Sequence, residues 1–230
     1  SYVNKGYVLV SDSFPAGAVY QADDTANTYY IHLKHGVQAV NPENPGKPGY
    51  PINPNDPNGP KYPADAGEVT QTASRTIHYV YGNGPHVTEQ AAPAVTQTIN
   101  FTASGYLDKV TGKWVTVDEN GNIVGSSVGL TWTTGQYDEV RSPEVAGYSP
   151  DQLIVEGVLN VKHDDQTADV TVKYYANEQA AQIIYYDDTL DKELESESAE
   201  GKHDHQIVWK NNPQDVISKY EKLNYELVAD

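Results

Sequence analysis

Prolines recur at every third position between residues 42 and 63, and this spacing constrains the chain more than any other feature. They stand at positions 42, 45, 48, 51, 54, 57, 60 and 63. Because proline fixes φ and removes a backbone donor, the stretch is unsuited to a helix or an inner strand. Polyproline II has three residues per turn, so the prolines would share one edge of a rod on the order of 65 Å long. The sequence therefore predicts an extended polyproline spacer over residues 41–66.

Charge and composition exclude several classes of partner. The formal net charge of −17 would repel phosphate backbones and anionic lipid, so we expect neither nucleic acid nor a membrane surface as a partner. No apolar run approaches the roughly 20 residues that a membrane helix needs. The chain has 0 Cys and 0 Met, which suits an exposed extracellular protein because no sulfur is open to oxidation.

The region over residues 67–178 alternates between strand-like and turn-like runs. The chain has 18 Tyr against 2 Phe, and β-branched residues stand beside those tyrosines in short alternating patterns, a composition typical of strands. No stretch in this region has helical periodicity. We therefore predict one mainly antiparallel β domain, with strands at 76–81, 96–101, 113–117, 130–133, 158–161 and 170–175.

The tail over residues 179–230 has a different organisation. Residues 181–186 are strand-like and precede an acidic turn and a second strand. Asn212 as N-cap, with Pro213 at the first helical position, predicts a helix. A further strand is predicted at Tyr225–Val228. Strand, strand, helix, strand is the opening of a β-grasp fold that lacks its last strand.

The two ends of the sequence resemble each other. Residues 7–12 and 225–230 agree at Tyr, Leu, Val and Asp in the same register, which indicates a tandem repeat. Residues 1–40 would then be the second half of one domain and residues 179–230 the first half of the next. We expect the two halves to pair head to tail between neighbouring chains, with residues 29–34 beside residues 181–186.

The order of several motifs resembles the mucus-binding (Mub) repeats of lactobacillus surface adhesins. Two runs resemble the latter half of the first domain of such a repeat, four resemble its MucBP-type second domain, and one resembles the opening of the next repeat. In that order the runs are Gly6–Gly17, Ile31–Gly36, Ser74–Tyr79, Gly105–Asp108, Trp132–Thr133, Gly147–Asp151 and Ile183–Asp188.

The resemblance implies a mainly β or α+β chain of β-grasp (ubiquitin-like) domains, and the polyproline spacer, which the resemblance does not cover, would join them. The predicted domains are 1–40, a half-domain; 41–66, the spacer; 67–178, a MucBP-like domain; and 179–230, a second half-domain. The implied function is non-enzymatic: an extracellular, cell-wall-attached adhesin that binds mucin glycans multivalently and needs no cofactor. An immunoglobulin-binding module and a structural stalk without ligand binding are the alternatives.

Aromatic and amide side chains in one loop-rich stretch are the candidates for glycan contact. Sugars bind to aromatic faces beside polar hydrogen-bonding groups, and Trp132, Gln136, Tyr137 and Tyr148 offer both, with Asp138 nearby. The alternative is that Trp132 is a core residue and the tyrosines cover strand faces.

Two further patterns suggest chemistry. Asp187, Asp188 and Asp191 offer carboxylate oxygens on one turn, and we name them as candidates for a weak calcium site, with an ordinary solvated turn as the alternative. Residues 125–129 match the G-x-S-x-G pattern of hydrolases, which requires a helix after the serine. A strand is predicted there instead, so we expect a loop and no nucleophile.

Overall fold

The computed structural model describes residues 1–22 and 27–228 and is built mainly of strands. The strands are β1 (Tyr7–Asp12), β2 (Ile31–His35), β3 (Val37–Val40), β4 (Thr70–Tyr81), β5 (Gln90–Asp108), β6 (Trp114–Val117), β7 (Ile123–Ser126), β8 (Thr131–Trp132), β9 (Gly135–Tyr137), β10 (Val140–Arg141), β11 (Tyr148–Pro150), β12 (Ile154–Val155), β13 (Val158–Val161), β14 (Val170–Ala176), β15 (Glu178–Asp187) and β16 (Lys192–Lys202). Helix α1 covers Pro213–Glu221, and short 3-10 turns cover Val3–Lys5 and Ala64–Gly67. The prediction of a mainly β chain is confirmed.

The chain divides into two compact units. The first consists of Ser1–Ser74, Thr98–Tyr137 and Val158–Thr167, and the second of Arg75–Gln97, Asp138–Gly157 and Ala168–Asp230. Strands β4 and β5 are long enough to contribute residues to both units. The domain boundaries expected from the sequence stay a prediction, as does the β-grasp description.

The first unit is organised around the second half of β5. Strands β3, β6 and β8 pair with that half of β5, and β7 extends the sheet from β6. Strands β9 and β13 pair with each other, and β1 pairs with β2 as a separate antiparallel ribbon. One buried cluster contains Val40, Leu107 and Trp114, and another contains Phe101 and Val161.

The proline-rich segment lies in the first unit, and the prediction that it runs as an extended spacer is wrong. The chain folds back on itself, so that the Gly49 amide donates to the Tyr62 carbonyl and the Ile52 amide donates to the Pro60 carbonyl. Ile52 is only 2% exposed and packs in the cluster of Val40 and Leu107. The residues between the prolines keep their amide donors, and Gly49 takes a positive φ of 81°, so the segment can bend and bond internally.

The second unit contains four adjacent strands in the order β11, β14, β4 and β5. Strand β14 is antiparallel to β11 and parallel to β4, with Val172 opposite Tyr79. Alternate residues on these strands point into one core, in which Ile77, Val172 and Tyr174 are fully buried. Strands β10 and β12 form a small pair of their own.

The hairpin of β15 and β16 and helix α1 complete the second unit. The Asn212 side chain accepts the Gln214 amide, and Pro213 opens the helix, as its sequence predicts. Val216 is buried, and the Tyr220 ring lies 6.3 Å from that of Tyr185 on β15. Lys219 Nζ lies 2.5 Å from the carboxylate of Glu195 on β16.

The prediction of a strand at Tyr225–Val228 is wrong. In the described part of the chain, no strand pairs with these residues. The Tyr225 ring packs edge-on against Tyr220 at 5.5 Å instead. Residues 229 and 230, which complete the match to the first strand, lie outside the described residues. In the described part, no helix is long and apolar enough to cross a membrane.

We expect Ile52→Ala to lower the free energy of unfolding by about 2–5 kcal/mol, because it removes a side chain buried in the first core. Tyr50→Ala is the matched control in the same segment, since Tyr50 is 66% exposed, and should change stability by less than about 0.5 kcal/mol. Urea denaturation of both variants measures the difference. Equal, small effects would mean that the segment is not packed on the core.

Candidate functional site

Strand β8 fixes the position of Trp132. The strand pairs with β5, where Trp132 lies opposite Ala103. The next residue, Thr133, is bonded twice to Thr102: its amide donates to the Thr102 carbonyl, and its hydroxyl accepts the Thr102 amide at 3.0 Å. This short strand therefore holds the indole at a defined place on the first unit.

The indole of Trp132 is half-buried and is covered on one face by His163. The two rings are stacked, with centroids 4.2 Å apart and an interplanar angle of 22°. His163 Nδ1 lies 3.0 Å from Gln71 Oε1, which orients the imidazole. On its inner side, Trp132 packs against the cluster that contains Ile99 and Phe101. We call Trp132, His163 and Gln71 the aromatic platform.

The aromatic platform has the chemical composition of a shallow sugar site. A rigid aromatic pair offers apolar surface, and the Gln71 amide, which lies at the exposed surface, offers a hydrogen-bond donor and acceptor. The prediction that Trp132 contacts glycans therefore stays open, although one face of its ring is already occupied. The alternative, that Trp132 is a core residue, applies only to the side of the indole that packs against the core cluster.

Two of the other predicted glycan residues are not at the surface. Tyr137 is 1% exposed in the same core cluster as Phe101, so a contact with a bound glycan is excluded for its ring. Tyr148 belongs to the second unit and is 7% exposed. Gln136 is exposed on β9. The four predicted residues therefore do not form one constellation.

Tyr148 is held by a polar contact on the second unit. Its hydroxyl donates to Asp204 at 2.9 Å, and its ring meets those of His203 and Tyr81. Burial, together with the Asp204 carboxylate, raises the pKa of Tyr148 to about 12. Its hydroxyl is therefore protonated at any physiological pH and serves as a donor to Asp204.

The acidic turn proposed for calcium uses its oxygens internally. Asp187 is 5% exposed, and one of its oxygens accepts the amides of Thr189 and Leu190, both at 2.9 Å. Asp191 accepts the hydroxyl of Tyr186 at 2.8 Å. In the described part of the chain, no three His, Asp or Glu side chains converge as metal ligands. The calcium prediction thus gains no support from this geometry.

A cleft of about 520 Å³ on the first unit is lined in part by residues 125–127 of the G-x-S-x-G segment. Its lining includes Trp114, Lys113 and Ser127. The Ser127 hydroxyl donates to the Gly129 carbonyl at 3.0 Å, and the chain runs on from β7 into β8 without an intervening helix. The strand-to-helix turn that a hydrolase nucleophile requires is therefore missing here, as the strand pattern predicts.

Asp108 anchors a polar cluster where β5 ends. The carboxylate is 5% exposed and accepts His35 Nδ1 at 2.8 Å, the Val110 amide at 2.8 Å and the Thr111 hydroxyl at 2.8 Å. Burial alone would raise the pKa of Asp108, but these hydrogen bonds outweigh it and hold the pKa below its ordinary value of 3.8. Because His35 ends β2, the cluster joins the β1–β2 ribbon to the sheet of the first unit.

Sequence reasoning missed His163 and Gln71. His163 stands in a polar run between the strands predicted at 158–161 and 170–175, and the pattern gave it no role. Gln71 precedes it by 92 residues, and no local pattern links the two. A contact across so many residues is set by the pairing of β9 with β13 and by the course of β4.

Two family models match the chain. Residues 64–178, half of the 230 residues, match the model described as Muc B2-like domain. Residues 1–35 and 179–230 match the model described as mucin binding domain. No curated protein sequence is similar to the chain at a significant level.

Solved structures of similar sequence are mucus-binding repeats and mucin-binding domains. The type 2 repeat of the mucus binding protein MUB from Lactobacillus reuteri is 29% identical, with a TM-score of 0.39, over 76% of this chain and 78% of that chain. The structure named Mub-RV is 27% identical, with a TM-score of 0.46, over 75% and 76%. A mucin-binding domain from Streptococcus pneumoniae is 26% identical, with a TM-score of 0.33, over 47% and 92%. Because these TM-scores are below 0.5, the structural likeness carries no argument. The assignment of the chain to a family rests on the two family models alone.

We expect Asp108→Asn to lower the free energy of unfolding by about 2 kcal/mol at neutral pH, since the amide cannot replace a buried, fully bonded carboxylate. Because the folded pKa of Asp108 lies below 3.8, its contribution is complete above that pH and is lost as the pH falls further. The difference from the unmodified chain should therefore shrink below about pH 4. Denaturant unfolding across pH measures it, with the exposed Glu68→Gln as control; a difference that is independent of pH would contradict this role.

Proposed function

We propose, because the chain belongs to the Muc B2-like domain family, that it is an adhesin module that binds host mucus glycoproteins outside the cell. The match of residues 64–178 to that family is the observation that carries the proposal. The match of both end segments to the mucin binding domain model supports it independently. A sequence without Cys or Met suits exposure to an oxidising surface environment.

Mucin glycans are the proposed ligand, and the aromatic platform is the proposed contact. A stacked Trp132 and His163 pair is rigid before binding, so little side-chain entropy is lost when a sugar packs on its exposed part. The Gln71 amide would then fix the orientation of a sugar hydroxyl. Such a shallow contact is weak on its own.

Weak single contacts become useful through repetition. Residues 1–35 and 179–230 match one family model, as expected for a segment of a repeated array. Once a first repeat is bound, the next binds at a raised effective concentration, and avidity can exceed the single affinity by about 10²–10⁴. The proposed function also includes attachment of such an array to the cell wall.

We expect Trp132→Ala to weaken binding to purified mucin roughly tenfold, the scale of a 1.4 kcal/mol loss at a contact. His163→Ala, which removes the stacking partner and leaves Trp132 in place, should also weaken it. Tyr50→Ala, a change at an exposed aromatic away from the aromatic platform, is the matched control. Surface plasmon resonance measures binding, and thermal unfolding confirms that each variant is folded.

The ligand class is tested with the same chain and mucin stripped of its glycans. Loss of binding after stripping supports glycan recognition, and unchanged binding contradicts it. Binding to immunoglobulin with none to mucin would favour an immunoglobulin-binding module. Binding to neither would favour a structural stalk.

Adhesion to sialylated or sulfated mucin should rise as the pH falls from 7 toward 5. The isoelectric point of about 4.6 means that the negative charge of the chain declines over this range, so its repulsion from an acidic glycoprotein weakens. Binding measured at low ionic strength tests this pH dependence, and added salt should make the pH dependence smaller. A flat profile at low salt would show that global charge does not govern adhesion.

A further inference from the structure

Two small sheets leave apolar side chains in solvent. The β1–β2 ribbon and the β15–β16 hairpin are both two-stranded in the described part of the chain. On the ribbon, Leu9 is 53% exposed and Ile31 is 60% exposed, and on the hairpin Ile184 and Tyr186 are 50% and 51% exposed. Two-stranded sheets are marginal in water by themselves, and an unpaired strand edge is a template for another strand.

The second unit contains a completed version of the same arrangement. There β4 has a strand on both sides, because β5 pairs along one edge and β14 pairs in parallel along the other. Strand β14 in turn carries β11 as its antiparallel neighbour. In this sheet, the β4–β5 pair is thus completed by the β11–β14 pair, because β14 runs parallel to β4 along its outer edge.

The ribbon matches β11 and β14 in detail. Gly6 has a φ of 92° and precedes Tyr7, just as Gly147 has a φ of 79° and precedes Tyr148. The Gly36 amide donates to the Gly6 carbonyl, just as the Asn177 amide donates to the Gly147 carbonyl. Tyr7 pairs with His35 where Tyr148 pairs with Ala176.

The hairpin matches β4 in the same way. Ile183 and Tyr185 on β15 stand at the spacing of Ile77 and Tyr79 on β4. The last two are 0% and 1% exposed because β14 and the core cover them, whereas Ile183 and Tyr185 are only half-buried. Strand β15 therefore has the side chains of a central strand without the neighbour that would make it one.

Charge favours the pairing as well. Strand β2 carries Lys34 and two histidines and no acidic residue, while β15 and β16 together carry six acidic residues and two lysines. The ribbon and the segment 179–230 also match one and the same family model. A strand of opposite charge that belongs to the same domain type is the best partner for the free edge of β15.

We propose that the β1–β2 ribbon of one copy of this chain adds to the β15 edge of a second copy, with β2 parallel to β15. The register of β14 on β4 places Val172 opposite Tyr79, and the equivalent pair between copies is Ile31 opposite Tyr185. Each copy offers both a ribbon and an edge. The contact is therefore heterologous and extends into open chains of copies.

The first test uses the unmodified chain in solution. Sedimentation equilibrium over rising concentration should give masses that climb beyond the 25.2 kDa of one copy and beyond that of two. A single 25.2 kDa species up to about 10⁻⁴ M, where a contact of about 5.5 kcal/mol would be half-formed, overturns the proposal.

The second test uses the absence of native cysteine. A tagged Ile31→Cys chain is mixed with an untagged Tyr185→Cys chain under mild oxidation, because facing residues on adjacent strands lie within disulfide reach. The expected product is a disulfide-linked heterodimer. Tyr29→Cys with Ile183→Cys is a second pair in the same register, in case the loss of Tyr185 disturbs the hairpin.

His32→Cys mixed with Tyr185→Cys is the matched control, because a shift by one residue turns the side chain to the opposite face. Crosslinking of both matched pairs well above this control supports the proposal. Equal crosslinking in all three mixtures overturns it. A double Ile31→Cys, Tyr185→Cys chain that forms only an internal disulfide would place the contact within one copy and also overturn it. Mucin binding is scored separately, so it can fail without affecting this result.

Discussion

The parallel pairing of β14 with β4 is the contact on which the second unit depends. It brings Val172 and Tyr174 onto Ile77 and Tyr79 and buries all four side chains completely or nearly so. Parallel neighbours need a long connection, and here the chain between the two strands contains most of the remaining strands. With no disulfide available in a chain that has 0 Cys, this non-local apolar contact must hold the unit closed.

Polar clusters perform a related task where strands end. Asp108 accepts hydrogen bonds from His35, Val110 and Thr111. Through His35 it fixes the β1–β2 ribbon to the sheet of the first unit. Arg75, which is 4% exposed, donates to the carbonyls of Asp138 and Glu156 and to the Gln97 side chain. Buried charges of this kind are tolerated because each makes several hydrogen bonds, and they tie loops to strands at defined places.

Four tyrosines, Tyr79, Tyr137, Tyr148 and Tyr174, are buried core residues, while others such as Tyr20 and Tyr50 lie at the surface. Tyr174 is fully buried and donates to the Pro143 carbonyl at 2.6 Å, and Tyr148 donates to Asp204. Each of these two tyrosines thus packs like phenylalanine and also anchors a loop. Because some of the tyrosines are core residues, an excess of tyrosine does not by itself identify a sugar-binding surface, and the half-buried Trp132 on its histidine partner is the better candidate.

The amino-acid sequence by itself determined the local elements. Alternating β-branched and aromatic residues gave the strands at 76–81 and 170–175, and the Asn212 and Pro213 pair gave the start of the helix. The order of short motifs also indicated the family, which the model matching residues 64–178 confirms. Each of these signals lies within a few residues, so it needs no knowledge of distant contacts.

Only the tertiary structure decided what those elements contact. The period of proline is the same in a rod and in a folded segment, and burial of Ile52 against Val40 and Leu107 selected the folded form. Tyr137 and Trp132 are both aromatic residues in one loop-rich stretch, yet the pairing of β9 with β13 buried the first, and His163 came to stack on the second. Such outcomes depend on residues that are tens of positions apart, and the chain brings these together only when the sheets form.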